Sequence, residues 1–369
     1  AVRPTPTPFD ADTAVTANSI LGGIRDELDA ISHIGWQVIG NGVFIYSSTY
    51  DFNIGIIEKD LMKAITTEAN DITDLPLQCR HGYIVKIRNS DSSEDDYYLK
   101  FNGVNGQDGS GSWEECAAPG IKKEFSYDQM PLTIQRTATT TFTVDRAAWS
   151  SREVGDDTTN PFPSFAKDED QTISRILFWR NRLVILSGEN AICSQPGNFY
   201  NFWHKSALAV STTDRIDIAC SSSFPSKLVD GIQINNGLLL FSTDQQFLLS
   251  TDDSVLNNDT AKLTSVATYN YNQKVSPISL GKTVGFLDSS GAYSKFFEAA
   301  NIASVGEPDV VNQTTVVPKL LTQGVDLITN SRENGLVLFG QANSDSITCY
   351  KYLNIGNERL QSSWFKWKL

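Results

Sequence analysis

The sequence has 369 residues, 40% of them hydrophobic, and a formal net charge of −13 from 43 acidic and 30 basic residues. This length is sufficient for two or more domains with a sizeable core. The charge argues against a protein that binds nucleic acid through its phosphates, because such binding needs clustered Lys and Arg. No apolar run approaches the roughly 18 residues of a membrane span, and the N-terminal AVRPTPTPFD lacks the regions of a secretion signal.

The cysteines give a second general constraint. There are five, with no CxxC pair, which argues against a disulfide framework and a zinc site and indicates assembly in a reducing compartment. We expect them to be small buried side chains, and they are Cys79, Cys116, Cys193, Cys220 and Cys349.

Residues 1–125 are predicted to form a small α+β module, a platform of one sheet and one helix. After the polar Asp12 and Thr13, helical spacing predicts one apolar stripe, formed by Ile20, Leu21, Ile24, Leu28 and Ile31. The segment WQVIGNGVFIYSS predicts a hairpin around Gly40-Asn41-Gly42. Three further strands are predicted over 82–89, 95–102 and 111–117, separated by acidic and glycine-rich turns.

Residues 126–170 are predicted to be a connecting segment that docks on the rest of the protein. Periodicity weakens here while Pro, Thr and Asp accumulate. The segment also carries Phe142, Trp149, Phe162 and Phe165, which a flexible linker would not expose to water.

Residues 171–369 are predicted to form blades of a β-propeller. Four apolar tetrads begin at residues 183, 238, 284 and 336, a spacing of about 50 residues that is typical of four-stranded blades. Polar breaks such as Arg180-Asn181 and Asn235-Asn236 predict the turns between strands. About four blades are visible, so the prediction is mainly β, with a propeller completed by sequence outside this chain.

The sequence contains few motifs that indicate catalysis or the binding of a metal or cofactor. The three histidines are far apart, and no nucleophile elbow, zinc-protease motif or phosphate-binding loop occurs, so we predict no catalytic, cofactor-binding or metal-ligating residue. Asp91–Asp96 and Asp156-Asp157 are better explained as solvated turns than as calcium sites. In NFYNFW, residues 198–203, the aromatics Phe199, Phe202 and Trp203 are predicted to anchor the outer strand of a blade in the core rather than to stack on sugars or bases. A propeller glycan hydrolase or depolymerase with paired carboxylates, or a carbohydrate-binding propeller, remain the alternatives.

A series of motifs resembles the tail tubular protein B family, the tail nozzle proteins of autographivirus-type short-tailed bacteriophages. The motifs, in the order of that family, are GYIVKIRN, DDYYLKF, GSWEECAAPG, QMPLTIQR, GDDTTNPFPSF, FWRNRLVILSGENAICSQPGNFYNFW, DRIDIAC, LLLFSTDQQFLLS and QSSWFKWKL. Members of the family extend beyond both ends of this sequence.

The resemblance implies a structural virion protein and no enzyme. It implies a homo-hexameric ring below the portal and the tail adaptor ring of tail tubular protein A, with tail fibres attached there. DNA would be ejected through a gated lumen without specific binding. Such a protein would be assembled in the host bacterial cytoplasm and located in the virion tail, without a membrane span or a cofactor.

Overall fold

The computed structural model describes residues 16–56, 62–89, 96–168, 170–222, 224–253, 255–302, 308–355 and 358–368. Over these ranges the chain is mainly β, as predicted, with 25 strands and one α-helix. It divides into two compact units. Unit 1 comprises the described residues up to Lys123 together with 152–161 and 204–210, and unit 2 comprises 124–151, 162–203 and the described residues from Ser211 onwards.

Unit 1 begins with the predicted helix. Helix α1 spans Ala17–Asp29, and the side chains and backbones of Thr16 and Ser19 exchange hydrogen bonds in a capping box at its N-terminus. Leu21 is buried and the rest of the predicted stripe is half-buried, which confirms the amphipathic pattern. The proposed polar starters Asp12 and Thr13 lie outside the described residues.

The predicted hairpin follows the helix. Strands β1 Gly35–Ile39 and β2 Gly42–Tyr46 pair antiparallel, and Ile39 faces Gly42 across the two-residue turn. Gly40 has a φ of +55°, a conformation that glycine adopts at no steric cost. The turn residues therefore explain why the chain reverses here.

A five-stranded sheet forms the core of unit 1. Its order is β3-β5-β6-β7-β4, antiparallel except for β3 with β5. The strands are β3 Glu68–Ala69, β4 Gln78–Cys79, β5 Ile84–Ile87, β6 Tyr97–Gly103 and β7 Gly109–Cys116. Val85, Ile87 and Leu99 are buried on one face. The three strands predicted in this region are confirmed as β5, β6 and β7, although residues 90–95 lie outside the described ranges.

Unit 2 starts with a separate hairpin, which the sequence analysis assigned to the connecting segment without strands. Strands β8 Leu132–Arg136 and β9 Phe142–Arg146 pair antiparallel as a two-stranded sheet. The expectation that Phe142 docks on the protein is wrong, because its side chain is 61% exposed. It lies on a face of this hairpin whose Leu132, Ile134 and Val144 are also more than half exposed.

The rest of unit 2 consists of four antiparallel sheets, each made of four consecutive strands. The strands of the first two sheets are β10 Ile173–Trp179, β11 Arg182–Ser187, β12 Asn190–Cys193 and β13 Ile216–Ala219, then β14 Asp230–Ile234, β15 Gly237–Phe241, β16 Gln246–Thr251 and β17 Ala261–Ala267. Arg180 and Asn181 both have positive φ in the turn between β10 and β11, as the predicted reversal requires.

The third and fourth sheets repeat this arrangement. Their strands are β18 Ile278–Ser279, β19 Val284–Asp288, β20 Lys295–Ala300 and β21 Asp309–Asn312, then β22 Leu327–Ser331, β23 Leu336–Gly340, β24 Ser346–Ile355 and β25 Glu358–Lys368. Each predicted apolar tetrad lies in the second strand of its sheet, namely in β11, β15, β19 and β23.

The four sheets pack face to face through three hydrophobic clusters. In β15, Leu238 and Leu240 face the first sheet, whereas Leu239 and Phe241 face the third. A strand covered on both faces must be apolar at every position, which explains the tetrads. The first strand of each sheet also contacts the first strand of the next, β10 with β14, β14 with β18 and β18 with β22.

Candidate functional site

An aromatic cluster fixes the connecting segment to the first sheet. Phe125, Trp149 and Phe165 are buried against Ile185 and Ile192, on the face of that sheet that points away from the second sheet. This confirms docking for Trp149 and Phe165, and Phe162 also packs against the cluster.

Two residues of the NFYNFW motif complete this cluster. Phe202 is 0% and Trp203 is 1% exposed. The ring of Trp203 stacks on Phe125 at 5.1 Å between centroids, and its Nε1 donates to the carbonyl of Ser150 at 2.7 Å. The structural interpretation of these two aromatics is confirmed. They lie in the connection between β12 and β13 and are not available to a sugar or a base.

The buried arginine Arg182 joins segments that are far apart in the sequence. Its Nη1 donates to the carbonyls of Ser194 and Asp214, both at 2.7 Å, and its Nη2 donates to those of Thr212 and Leu256 at 3.3 and 3.2 Å. Burial lowers the pKa of Arg182, an effect that the nearby Cys193 and Asp214 partly oppose. This geometry holds loops together and leaves no open face for a ligand.

Three buried carboxylates of unit 2 are paired with cations. Asp230 accepts from Arg175 Nε at 3.1 Å, and Asp288 lies 3.7 Å from Lys295 Nζ. Glu298 binds Arg359 through both carboxylate oxygens. A glycoside hydrolase needs one carboxyl group poised as an acid and another free as base or nucleophile. These three carboxylates instead have the partners of structural ion pairs.

Of the two acidic segments weighed as calcium sites, Asp156-Asp157 forms a turn. Asp156 accepts the backbone N–H groups of Thr158 and Thr159, and Asp157 pairs with Arg152 at 2.7 Å. Asp96 pairs with Lys86 Nζ at 2.7 Å. Residues 91–95 lie outside the described ranges. Within the described part of the chain, no three His, Cys, Asp or Glu side chains come together as a metal site requires.

The histidines and cysteines likewise have structural surroundings. His81 Nδ1 accepts the N–H of Gly103 at 3.2 Å, and the backbone N–H of His204 donates to Asn160. All five cysteines are free thiols; Cys79 is half-buried and the other four are buried. Burial raises the pKa of the Cys193 thiol to about 12, so it is not the thiolate that nucleophilic catalysis needs.

The hairpin β8–β9 presents an exposed surface that was not predicted from the sequence. All ten strand positions are exposed or half-exposed. Leu132, Ile134, Phe142 and Val144 are 58, 72, 61 and 62% exposed. The alternation in LTIQR and FTVDR around the threonine-rich turn could have revealed these strands, because period-two patterns flanking a polar turn predict a hairpin.

A comparison with known families identifies the chain. The family described as "Bacteriophage nozzle protein" matches residues 5–369. The chain belongs to this family. Nozzle proteins are structural components of the virion tail, which confirms the predicted family and the prediction that the chain is not an enzyme.

A curated relative agrees with this assignment. The nozzle chain is 28% identical over 312 residues to "Tail tubular protein gp12" of Escherichia phage T7. The match covers 83% of this chain but 38% of that protein, so the chain spans less than two-fifths of its relative.

Among the described residues, no helix has the length and apolarity needed to cross a lipid bilayer.

Proposed function

We propose that this chain is a subunit of the tail nozzle, a ring through which DNA leaves a short-tailed phage. The observation that carries the proposal is the family match along residues 5–369. The name of the T7 relative, a tail tubular protein, supports it. A tube built from one kind of chain needs copies around an axis, joined by contacts that close the ring. We infer six copies, assembled in the host bacterial cytoplasm, below the portal and the adaptor ring of tail tubular protein A.

The acidic character of the chain suits a conduit for DNA. A net charge of −13 repels a polyanion, so a duplex passing through the lumen would stay centred and would not bind the wall. Gating of the lumen and attachment of tail fibres are further parts of the proposal. Both come from the resemblance to the tail tubular protein B family.

We further propose that the four stacked sheets of unit 2 are blades of a β-propeller. Contacts between the first strands of consecutive sheets support this, since the innermost strands of blades approach one another around the axis. Two apolar surfaces stay exposed at the ends of the array: Ile176 and Phe178 on the first sheet, and Leu327 and Trp367 on the fourth. Further blades between these surfaces would cover them.

The division into functional parts follows the same proposal. Residues 1–125 would act as the platform module, 126–170 as the docked connecting segment and 171–369 as the blades. Limited proteolysis of the purified protein tests the boundaries, because cleavage between folded modules leaves stable fragments.

Electron microscopy and native mass spectrometry of the full-length protein test the nozzle proposal. We expect rings of six copies with a central opening, which co-assemble with the adaptor protein. A mobility-shift assay with duplex DNA at physiological salt should show no stable complex. A protein that stays monomeric with and without the adaptor, or that binds DNA tightly, would contradict the proposal.

The two alternative functions gain no support. Family membership argues against a glycan hydrolase, and the buried carboxylates Asp230, Asp288 and Glu298 are held by cations. Phe202 and Trp203, two of the aromatics weighed as a stacking surface for sugars, are buried and cannot contact a carbohydrate.

A further inference from the structure

The hairpin β8–β9 has one apolar and one polar face. The register pairs Ile134 with Val144 and Arg136 with Phe142. Because side chains alternate along a strand, one face carries two cations among apolar groups; it comprises Leu132, Ile134, Arg136, Phe142, Val144 and Arg146. Gln135 and Thr143 pair on the opposite face, which has only polar groups. The four apolar side chains of this face are each more than half exposed.

The hairpin is fixed at its base, and nine of its ten strand residues are exposed. Phe125 and Met130 precede it, Ala147 and Trp149 follow it, and all four belong to or pack against the aromatic cluster on the first sheet. Arg136 donates to the carbonyls of Ala138 and Thr139 within the turn. The hairpin 132–146, here called the arm, therefore starts and ends at the aromatic cluster.

An isolated two-stranded hairpin is marginally stable in water, and strands with exposed apolar faces invite association. On the arm, Ile134 and Val144 are 72 and 62% exposed although they form a direct cross-strand pair. Exposed apolar patches of this kind are a mark of protein interfaces. The arrangement fits a hairpin whose apolar side chains are covered by a partner.

The charge of the hairpin indicates which partner would bind it. Residues 132–146 carry Arg136 and Arg146 against one acid, Asp145, whereas the whole chain has 43 acids and 30 bases. Both arginines lie on the apolar face, and Arg146 also pairs with Asp128. A cationic, apolar arm on an otherwise acidic protein is complementary to the surface of an identical chain. Two arginines are too few for stable attachment to DNA phosphates.

We propose that the hairpin 132–146 is an arm with which each subunit binds the next copy of the same chain. The arm and its receiving surface are different parts of the molecule, so the contact is heterologous and can close a ring. This inference rests on the proposed nozzle function and names the element that joins its subunits.

The test replaces the cross-strand pair Ile134 and Val144 with threonine in the full-length protein, Ile134→Thr with Val144→Thr. Threonine keeps the β-branched shape and removes apolar surface. The matched control, Gln135→Thr with Thr143→Gln, exchanges the pair on the polar face. Sedimentation velocity should show subunit affinity weakened at least about tenfold in the first variant, as expected when a central apolar contact is lost. The control should assemble like the unchanged protein. At concentrations at which all three proteins are monomeric, both variants should keep the melting temperature of the unchanged protein.

Three outcomes separate this inference from the proposed function. Rings that persist with unchanged affinity in the Ile134→Thr, Val144→Thr variant overturn the arm and leave the nozzle function intact. An unchanged protein that forms no rings contradicts the nozzle function, and photo-crosslinking from Phe142→p-benzoylphenylalanine then decides on the arm. Crosslinks to peptides of a second copy support it. In extracts of infected cells, crosslinks to the adaptor, the fibre or DNA alone, or none at all, overturn it.

Discussion

Arg359 and Glu298 form a two-bond ion pair that joins the fourth sheet to the third. The Nη1 and Nη2 groups of Arg359 in β25 donate to Oε2 and Oε1 of Glu298 in β20 at 2.9 and 2.7 Å. Thr283 and Gln313 also donate to this carboxylate, and Arg359 Nη1 donates to the hydroxyl of Tyr350. The side chain of Glu298 is only 6% exposed, so its charge depends on these partners.

The substitution Glu298→Gln should therefore destabilise unit 2. It leaves the partly buried guanidinium of Arg359 without its counter-charge, at an expected cost of about 2–3 kcal/mol in the free energy of unfolding. Urea unfolding followed by fluorescence measures the change. As a control, Asp252→Asn breaks the exposed ion pair with Lys262 and should have a much smaller effect. Equal effects of the two substitutions would show that the Glu298 network is not a joint between the sheets.

Substitution of Arg182 should be costly even when positive charge is kept. Lysine cannot reproduce a planar fork that donates to four carbonyl groups, so Arg182→Lys should leave buried acceptors unpaired. We expect a loss of about 2–4 kcal/mol in the free energy of unfolding. The neighbouring Arg180 is exposed in a turn, and Arg180→Lys should change stability by less than about 0.5 kcal/mol. Wild-type stability in Arg182→Lys would contradict this role.

Thiol labelling should distinguish the cysteines. Cys193 is fully buried and burial raises its pKa to about 12, so at pH 8 it should not react with a maleimide in the folded protein. Cys79 is half-buried, and burial raises its pKa as well, so we expect slow reaction there alone. All five thiols should react in urea. Peptide mapping by mass spectrometry gives the readout, and native labelling of Cys193 ahead of Cys79 would contradict its placement.

The ion pair of Asp96 and Lys86 should make the stability of unit 1 depend on pH. The hydrogen bond from Lys86, and then that from the N–H of Asn89, hold the pKa of Asp96 below its usual value. Its contribution is complete above the unfolded pKa of about 3.9 and is lost as the pH falls through the lower folded-state pKa. The pKa of Lys86 is raised, mainly by the hydrogen bond to Asp96, so its contribution is lost only as the pH rises through that raised value.

The measurement compares wild-type protein with Asp96→Asn by urea unfolding between pH 2 and pH 7. The substitution should cost about 1 kcal/mol at pH 7, and the difference should vanish at the acid end. Asp74→Asn, which alters an exposed pair with Lys63, is the control and should have a smaller effect. A difference between wild type and Asp96→Asn that is independent of pH would rule out the ion pair as its cause.

Some parts of the fold could be predicted from sequence because their environments are extreme. The second strand of each sheet is covered on both faces, and this produces apolar runs such as that of β15. The turn at Arg180-Asn181 could also be predicted from the sequence, because these two polar residues separate two apolar runs. The same logic predicted that Trp203 would be buried.

Other features could not be predicted because they depend on distant partners or on missing ones. Arg182 reaches the carbonyl of Leu256, 74 residues away, and Arg359 binds Glu298 across 61 residues. Nothing local distinguishes these arginines from surface arginines. Phe142 was predicted to be buried but is exposed. An aromatic residue that packs on another molecule looks the same in the sequence as one that packs inside its own chain.

The face-to-face packing of four consecutive meanders has a consequence for how the polypeptide folds during synthesis. Each meander closes through neighbouring strands, so it can form soon after it leaves the ribosome. The aromatic cluster of Phe125, Trp149 and Trp203 is complete once the connection that follows β12 has been made. Each new sheet then settles on the apolar face left by its predecessor, such as Leu239 and Phe241 of the second sheet. Growth would proceed in one direction, and each new sheet would cover the apolar face of the sheet made before it.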